Sequence, residues 1–145
     1  MNSNELNLRL FTNPVTRLYF GGTYAADKLP PPFMVPQSFV VNEDFSDEPG
    51  THWVAIFIRS KNEVNYFDSL GRAPTMAIAE YLNMFPIINQ NKKTYQSINS
   101  TVCGLYTMYF IYMSTLGYTL RQIETILSKQ ADPDLYVSNF VNKYV

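Results

Sequence analysis

The chain is poor in cysteine and histidine. Its 145 residues include one cysteine, Cys103, and one histidine, His52. A single cysteine cannot form an internal disulfide or supply the thiolates of a cysteine-rich zinc site. This scarcity suits a reducing compartment. Any cysteine–histidine pair in the chain must therefore be built from these two residues.

Basic charge is also sparse. Eleven Lys and Arg residues stand against 12 Asp and Glu residues, which gives a formal net charge of −1. The nearest approach to a basic cluster is Lys92–Lys93. Because nucleic-acid binding depends on cations that displace counterions from phosphates, this composition argues against a DNA-binding module.

Long apolar runs and a secretion signal are missing as well. The longest apolar run, residues 104–116, is shorter than a membrane span and contains Thr107 and Ser114. The N-terminal stretch "MNSNELNLRLF" has no basic region followed by an apolar core, so it does not resemble a signal peptide. At 46% hydrophobic residues the chain is long and apolar enough to fold. We expect one soluble domain over residues 1–145.

Hydrophobic patterning predicts an α+β fold. Helices are predicted near the N-terminus and over Pro74–Phe85, Val102–Leu116, Thr119–Gln130 and Asp132–Val145, and strands over Ser38–Asn42, His52–Ile58, Glu63–Ser69 and Lys92–Ile98. Residues 19–37, with a Gly-Gly pair and four prolines, are predicted to form an extended loop. Residues 102–116 are apolar on nearly all faces, as in a buried helix. We therefore expect a small mixed or antiparallel sheet around a buried central helix.

Cys103 is predicted to lie in the first turn of that central helix. It follows Ser100–Thr101, residue types that commonly cap helix N-termini. There the helix dipole and unpaired N–H groups favour a thiolate, and the Cys103 N–H could donate to an oxyanion. Gly104 has no Cβ, so a substrate backbone could approach it and the residue could border a cleft. The alternative is a buried core thiol, which is a common state for free cysteine.

His52 and Asp68 are predicted to meet across a β-hairpin. If the hairpin turns near Lys61, His52 lies opposite residue 70, and Asp68 is a diagonal neighbour about 7–8 Å away between Cα atoms. The Asp68 carboxylate could then accept the imidazole N–H. A register slip of one residue would move Asp68 to the other face. A structural histidine and a turn-forming aspartate remain the alternatives.

Gln96 precedes Cys103 on the strand predicted to lead into the helix. Its amide can donate to an oxyanion without titrating. Taken alone, it is better explained as an exposed strand residue. Together with Cys103, His52 and Asp68, it completes what a cysteine nucleophile needs: a thiolate, a base, a group that orients the base, and an oxyanion donor.

Three stretches carry a resemblance to a known family. "GTHWVAIFI", "YFDSLG" and "YQSINSTVCGLY" together resemble the adenovirus-protease-like and ubiquitin-like-protease group of cysteine peptidases. They are most similar to the adenain-like proteases of Polinton (Maverick) elements and adintoviruses. That group shows His-Trp, an acidic residue ending the next strand, a Gln, and Cys-Gly heading a buried helix. The resemblance covers roughly Gly21 to Val145 and implies a circularly permuted papain-like fold in a single cysteine peptidase domain.

The resemblance implies a role for each matching residue. Cys103 would be the nucleophile and His52 its general base. Asp68 would orient His52 and stabilise its charge. Gln96 and the Cys103 backbone N–H would form the oxyanion hole, and Trp53 would shield the Cys–His pair.

The resemblance also implies a substrate and a place of action. The expected activity is cleavage after small residues such as glycine in structural precursor proteins, as in virion maturation. The expected location is the host cell interior, in cytoplasm or nucleus, and the virion, without secretion. Processing or deconjugation of ubiquitin-like proteins is the alternative.

Two other functions fit the sequence less well. An acyltransferase on the same scaffold would need a basic cluster for acyl-CoA phosphates, which the sequence lacks. A structural or adaptor protein without catalytic activity, in which the motifs are only remnants, would have no reason to keep all four site residues.

The composition limits the activators and partners that this resemblance allows. With no second cysteine for a disulfide-linked activating peptide and little basic charge for a DNA cofactor, we expect a cofactor-independent core. We expect its partners to be polypeptide substrates, with no membrane partner.

Overall fold

A computed structural model of the chain describes residues 1–43, 52–97 and 101–145. The strands are β1 (Phe20–Ala25), β2 (Gln37–Asn42), β3 (Trp53–Ser60), β4 (Glu63–Phe67) and β5 (Ile87–Gln90). The helices are α1 (Ser3–Thr12), α2 (Met76–Leu82), α3 (Cys103–Thr115), α4 (Leu120–Ser128) and α5 (Pro133–Tyr144), with a short 3-10 turn at Thr16–Leu18. The strands form one mixed sheet in the order β1-β2-β3-β4-β5. The two outer pairs are parallel and the two inner pairs antiparallel.

The sheet separates two apolar layers. Along β3, Ala55 and Phe57 face one layer while Val54, Ile56 and Ile58 face the other, the alternation expected of a strand buried on both sides. The first layer contains residues of α1, α3, α4 and α5, and the second contains α2. The predicted α+β class with a mixed sheet is confirmed.

Helix α3 is buried between the sheet and the other helices. Most of its 13 residues are buried, which confirms the predicted central helix. Phe110 of α3 stacks on Phe67 of β4, with ring centroids 5.0 Å apart. This stack joins the helix that begins at Cys103 to the strand that precedes Asp68.

The strand predicted over Lys92–Ile98 is wrong. The fifth strand is Ile87–Gln90, which pairs in parallel with β4, and residues 91–97 are irregular; Ile98 lies outside the described residues. The N–H groups of Tyr95 and Gln96 both donate to the Ser69 carbonyl instead of joining a ladder. Two hydrogen bonds to one carbonyl oxygen therefore take the place of strand pairing in this segment.

The loop predicted over residues 19–37 is also partly wrong, because it contains β1. This strand pairs in parallel with β2, and its register shifts between Phe20 and Thr23. Gly21 packs so closely on the Phe39 ring that a Cβ would collide with it. The glycines that suggested a loop therefore allow a close, bulged strand pairing.

The helical signals near the C-terminus are confirmed. Thr119 caps α4 with a capping box that includes Gln122, and the Asp132 side chain caps α5. Within the described part of the chain, no helix combines the length and the apolar character needed to cross a bilayer.

Candidate active site

His52 and Asp68 meet at one end of the β3–β4 hairpin. The two strands pair Ala55 with Phe67, and the site residues lie just outside this pairing, before β3 and after β4. His52 Nε2 lies 2.6 Å from Asp68 Oδ1. Both side chains are buried. The hairpin register predicted from the sequence is therefore confirmed, and it brings the imidazole and the carboxylate into contact.

The Asp68 carboxylate is held by several donors besides His52. The Leu70 N–H donates to Oδ1 at 2.9 Å, and the Arg72 N–H donates to Oδ2 at 3.3 Å. Arg72 Nε lies 3.6 Å from Oδ2. Burial alone would raise the pKa of Asp68, but the hydrogen bonds and the positive charges of His52 and Arg72 lower it below its usual value. Asp68 is thus stabilised as a carboxylate.

Asn91 fixes the backbone of Asp68. The Asp68 N–H donates to Asn91 Oδ1 at 3.0 Å, and Asn91 Nδ2 donates to the Asp68 carbonyl at 2.6 Å. These two hydrogen bonds resemble the pairing between two residues of neighbouring strands, and they lie just beyond the end of β5. Asn91 was not predicted from the sequence, where the only signal is a run of polar amides, residues 89–91, after the apolar start of that strand.

Cys103 is the first residue of α3, as predicted. Val102 is the N-cap and makes no side-chain capping bond, so the predicted cap by Thr101 is wrong; Ser100 lies outside the described residues. The groups that act on the pKa of the sulfur are the His52 side chain and the backbone N–H groups of Trp53 and Gly104. Cys103 keeps only 8% of its surface exposed. It is nevertheless joined to His52, so it differs from an isolated core thiol.

The pKa values of this pair shift in opposite directions. Burial would raise the pKa of Cys103, but hydrogen bonds from His52 and the neighbouring N–H groups lower it. Burial would lower the pKa of His52, but its hydrogen bonds to Asp68 and Cys103 raise it to about 9. These shifts favour a thiolate–imidazolium pair, the reactive form of a cysteine nucleophile.

Gln96 is buried in the irregular segment before α3, so the interpretation as an exposed strand residue is wrong. Its Oε1 accepts a hydrogen bond from Ser69 Oγ at 2.6 Å. Ser69 directly follows Asp68 in the chain. Nothing in the local sequence indicates that this hydroxyl reaches Gln96.

Trp53 and Gly104 lie beside the N-terminal residue of the chain. The Trp53 indole Nε1 donates to the Met1 carbonyl at 3.1 Å. A Cβ added to Gly104 would lie 3.4 Å from Met1 Sδ and 3.7 Å from Leu6 Cδ2. The roles of Trp53 and Gly104 in a substrate cleft therefore stay predictions.

One group of side chains near the site has the donor types of a metal centre. Ligand atoms of Glu43, His52 and Asp68 lie within 4.8 Å of one another. Arg72 forms ion pairs with both Glu43 and Asp68. An internal cation therefore already balances the two carboxylates.

Comparison with known proteins places these residues in a family. The Ulp1 protease family, C-terminal catalytic domain, matches residues 38–133, a range that contains all four candidate residues. An African swine fever virus protein named cysteine protease S273R is 32% identical over 95 residues, covering 55% of this chain and 35% of the relative. A protein from another isolate of that virus, named SUMO-1 cysteine protease S273R, is 32% identical over 112 residues, covering 67% and 40%.

The chain spans only part of such relatives. A protein of Acanthamoeba polyphaga mimivirus whose name includes "thiol protease R355" is 34% identical over 90 residues, covering 54% of this chain and 30% of the relative. The crystal structure of the African swine fever virus pS273R protease matches with a TM-score of 0.65 and 16% identity, covering 95% of this chain and 66% of that one. The structural match shows a shared fold.

Proposed function

Because the chain belongs to the Ulp1 protease family, we propose that it is a cysteine endopeptidase with Cys103 as its nucleophile. The observation that carries the proposal is the unbroken line of contacts from Cys103 through His52 to Asp68 at the N-terminus of α3. A buried structural thiol would not need a histidine whose pKa is raised by a carboxylate behind it.

The proposed reaction has two stages. The Cys103 thiolate attacks the scissile carbonyl carbon, and the His52 imidazolium then gives its proton to the leaving amine. A water molecule next attacks the thioester, with neutral His52 taking a proton from the water, and Cys103 departs as the thiolate, which restores the thiolate–imidazolium pair. Asp68 stabilises the imidazolium, while Gln96 and the Cys103 N–H donate to the oxyanion in both stages.

We propose cleavage after small residues such as glycine in structural precursor proteins, as in virion maturation inside a host cell. The viral relatives support this proposal, as does the adenain-like resemblance. The chain order His52, Asp68, Gln96, Cys103 supports the proposed circularly permuted papain-like arrangement. Processing of ubiquitin-like tails is the second candidate, favoured by the name SUMO-1 cysteine protease that one relative carries.

Removal of Cys103 or His52 tests the proposal. The wild type, Cys103→Ala and His52→Ala are compared on a short peptide ending in Gly-Gly-aminomethylcoumarin, with circular dichroism as a control for folding. We expect cleavage by the wild type and none by either folded variant, because each lacks one half of the reactive pair. Equal cleavage by Cys103→Ala would overturn the proposal.

A second substrate separates the two candidate roles. SUMO-1 carrying the same coumarin on its C-terminal Gly-Gly is compared with the short peptide. Similar kcat/KM values for both would support a peptide-directed endopeptidase. A kcat/KM that is higher by orders of magnitude for the intact modifier would support processing of ubiquitin-like tails instead.

A further inference from the structure

We propose that Ser69 is a positioning residue that holds the Gln96 amide in place for the oxyanion. This inference rests on the proposed function and adds a residue to the four named above. Ser69 does not touch the reacting atoms in this scheme and acts only through Gln96.

The Ser69 hydroxyl anchors one end of the amide. Ser69 Oγ donates to Gln96 Oε1 at 2.6 Å, and both residues are almost fully buried, at 1% and 5% exposure. Water therefore competes little for this bond. Because the amide is planar, anchoring its oxygen turns the NH₂ group away from Ser69, and this NH₂ group is the end that can donate to an oxyanion. The opposite orientation would aim an oxygen at a developing negative charge.

The anchor also affects the strength of the donor. A hydroxyl that donates to an amide oxygen polarises the amide and makes its N–H groups better donors. Without the hydroxyl, the buried Oε1 loses this donor, and the orientation that presents the NH₂ group to the oxyanion is no longer favoured by it. Both effects weaken stabilisation of the transition state and leave the Cys103 thiolate untouched.

The backbone hydrogen bonds of Ser69 allow the contribution of its side chain to be tested separately from that of its backbone. The Ser69 carbonyl accepts from the N–H groups of Tyr95 and Gln96 at 2.9 Å and 3.0 Å. These bonds hold the segment whatever side chain stands at position 69. Asp68, the preceding residue, is fixed separately by Asn91. A Ser69→Ala substitution therefore removes the anchor while the backbone bonds remain.

The test measures kcat and KM on the Gly-Gly-aminomethylcoumarin peptide. We expect Gln96→Ala to lower kcat by about one hundred- to one thousand-fold, the usual loss for one oxyanion donor, and Ser69→Ala by about ten- to one hundred-fold with little change in KM. The double variant should be no slower than Gln96→Ala, because Ser69 acts only through that side chain.

A matched control comes from α3. Ser114 is also buried, and its Oγ has no hydrogen-bond partner among the described residues. Ser114→Ala removes the same single atom from a buried site, so it should keep the kcat of the wild type.

Alkylation of Cys103 distinguishes a loss of Gln96 positioning from general damage to the site. Iodoacetamide reacts with Cys103 by displacement and forms no oxyanion, so Ser69→Ala should be alkylated at the rate of the wild type. Cys103→Ala gives the blank, because the chain has no other thiol. A disturbed thiolate would slow alkylation and peptide cleavage together.

The outcomes distinguish this inference from the proposed function. A wild type without Cys103-dependent cleavage would overturn both. A cleaving wild type combined with an unchanged kcat in Ser69→Ala, equally slowed alkylation, or a double variant slower than Gln96→Ala would overturn the inference alone.

Discussion

At the residue scale, the charge states of Cys103 and His52 depend on interactions that outweigh the effect of burial on their pKa values. Burial by itself would keep Cys103 as a thiol and His52 neutral, yet the pKa of Cys103 is lowered and that of His52 is raised to about 9. Asp68 lies behind His52, and its own pKa is lowered in turn. Each charge in the line Cys103–His52–Asp68 thus stabilises its neighbour.

These shifts predict the pH dependence of activity. The ion pair exists between the lowered pKa of Cys103 and the raised pKa of His52, near 9. kcat/KM should therefore rise as the thiolate forms, stay level through neutral pH, and fall above about pH 9 as His52 loses its proton. A pH profile with the coumarin peptide checks this. An alkaline limb near the ordinary histidine value of 6.5 would contradict it.

Asp68→Asn tests whether the charge of the Asp68 side chain, independently of its shape, supports His52. The amide keeps the size of the carboxylate but loses the negative charge that raises the pKa of His52. We expect a residual rate about 10²- to 10⁴-fold below the wild type, with the alkaline limb of kcat/KM shifted to lower pH. The comparison is Gln96→Ala, which should slow cleavage without moving that limb. An unshifted limb in Asp68→Asn would show that the carboxylate does not set the histidine pKa.

The sequence predicted that Cys103, His52 and Asp68 come together but did not predict the residues that hold them. His52 and Asp68 could be paired because a hairpin register follows from local sequence and the position of the turn. Asn91 reaches Asp68 across 23 positions, and Ser69 reaches Gln96 across 27. Such bonds depend on how separate segments pack, and no local pattern encodes them.

At the element scale, the inner strands were predicted well and the outer ones poorly. β3 alternates between two buried faces and has a clear strand pattern. β1 contains two glycines and a register shift, while the β5 residues are mostly exposed. Both outer strands join their neighbours in parallel, so their pairing partners are set by tertiary structure.

The turn after β4 gives a prediction at this scale. Gly71 has a φ of +68°, and a Cβ there would lie 2.7 Å from the carbonyl oxygen of Lys92. Gly71→Ala must therefore push away the backbone that leads to Gln96, and we expect a large loss of kcat in the folded protein. Backbone strain should also lower the free energy of unfolding by about 1–3 kcal/mol.

Gly117 supplies the control. Its φ is +105°, and a Cβ there would meet no described atom within 4 Å. Gly117→Ala should lose stability through strain but keep kcat per folded molecule. Equal kcat values for the two variants, measured with urea unfolding on the same samples, would count against the link between the turn and Gln96.

At the scale of the whole molecule, one packed interface sets the distance between the two halves of the site. The Phe67–Phe110 stack ties β4, which leads to Asp68, to α3, which begins at Cys103. Phe110 is fully buried among residues of the sheet and of α1, α3, α4 and α5. The core that stabilises the domain also holds Cys103 in register with the hairpin.

Phe110→Ala should therefore destabilise the whole domain. Loss of a buried aromatic ring costs about 3–5 kcal/mol, a large part of the stability of a domain this size. Urea unfolding followed by tryptophan fluorescence measures the midpoint. Phe33→Ala is the control, because that ring is 69% exposed and its loss should change stability by less than about 0.5 kcal/mol. Equal midpoints would contradict the assigned core.

The Trp53–Met1 hydrogen bond bears on how the protein is handled. A purification tag fused ahead of Met1 would start next to the indole of Trp53 and beside Gly104, because the Met1 carbonyl and side chain already lie there. Leftover vector residues could then obstruct the approach to the sulfur and distort measured rates. An affinity handle placed after Val145 would instead start at the end of α5.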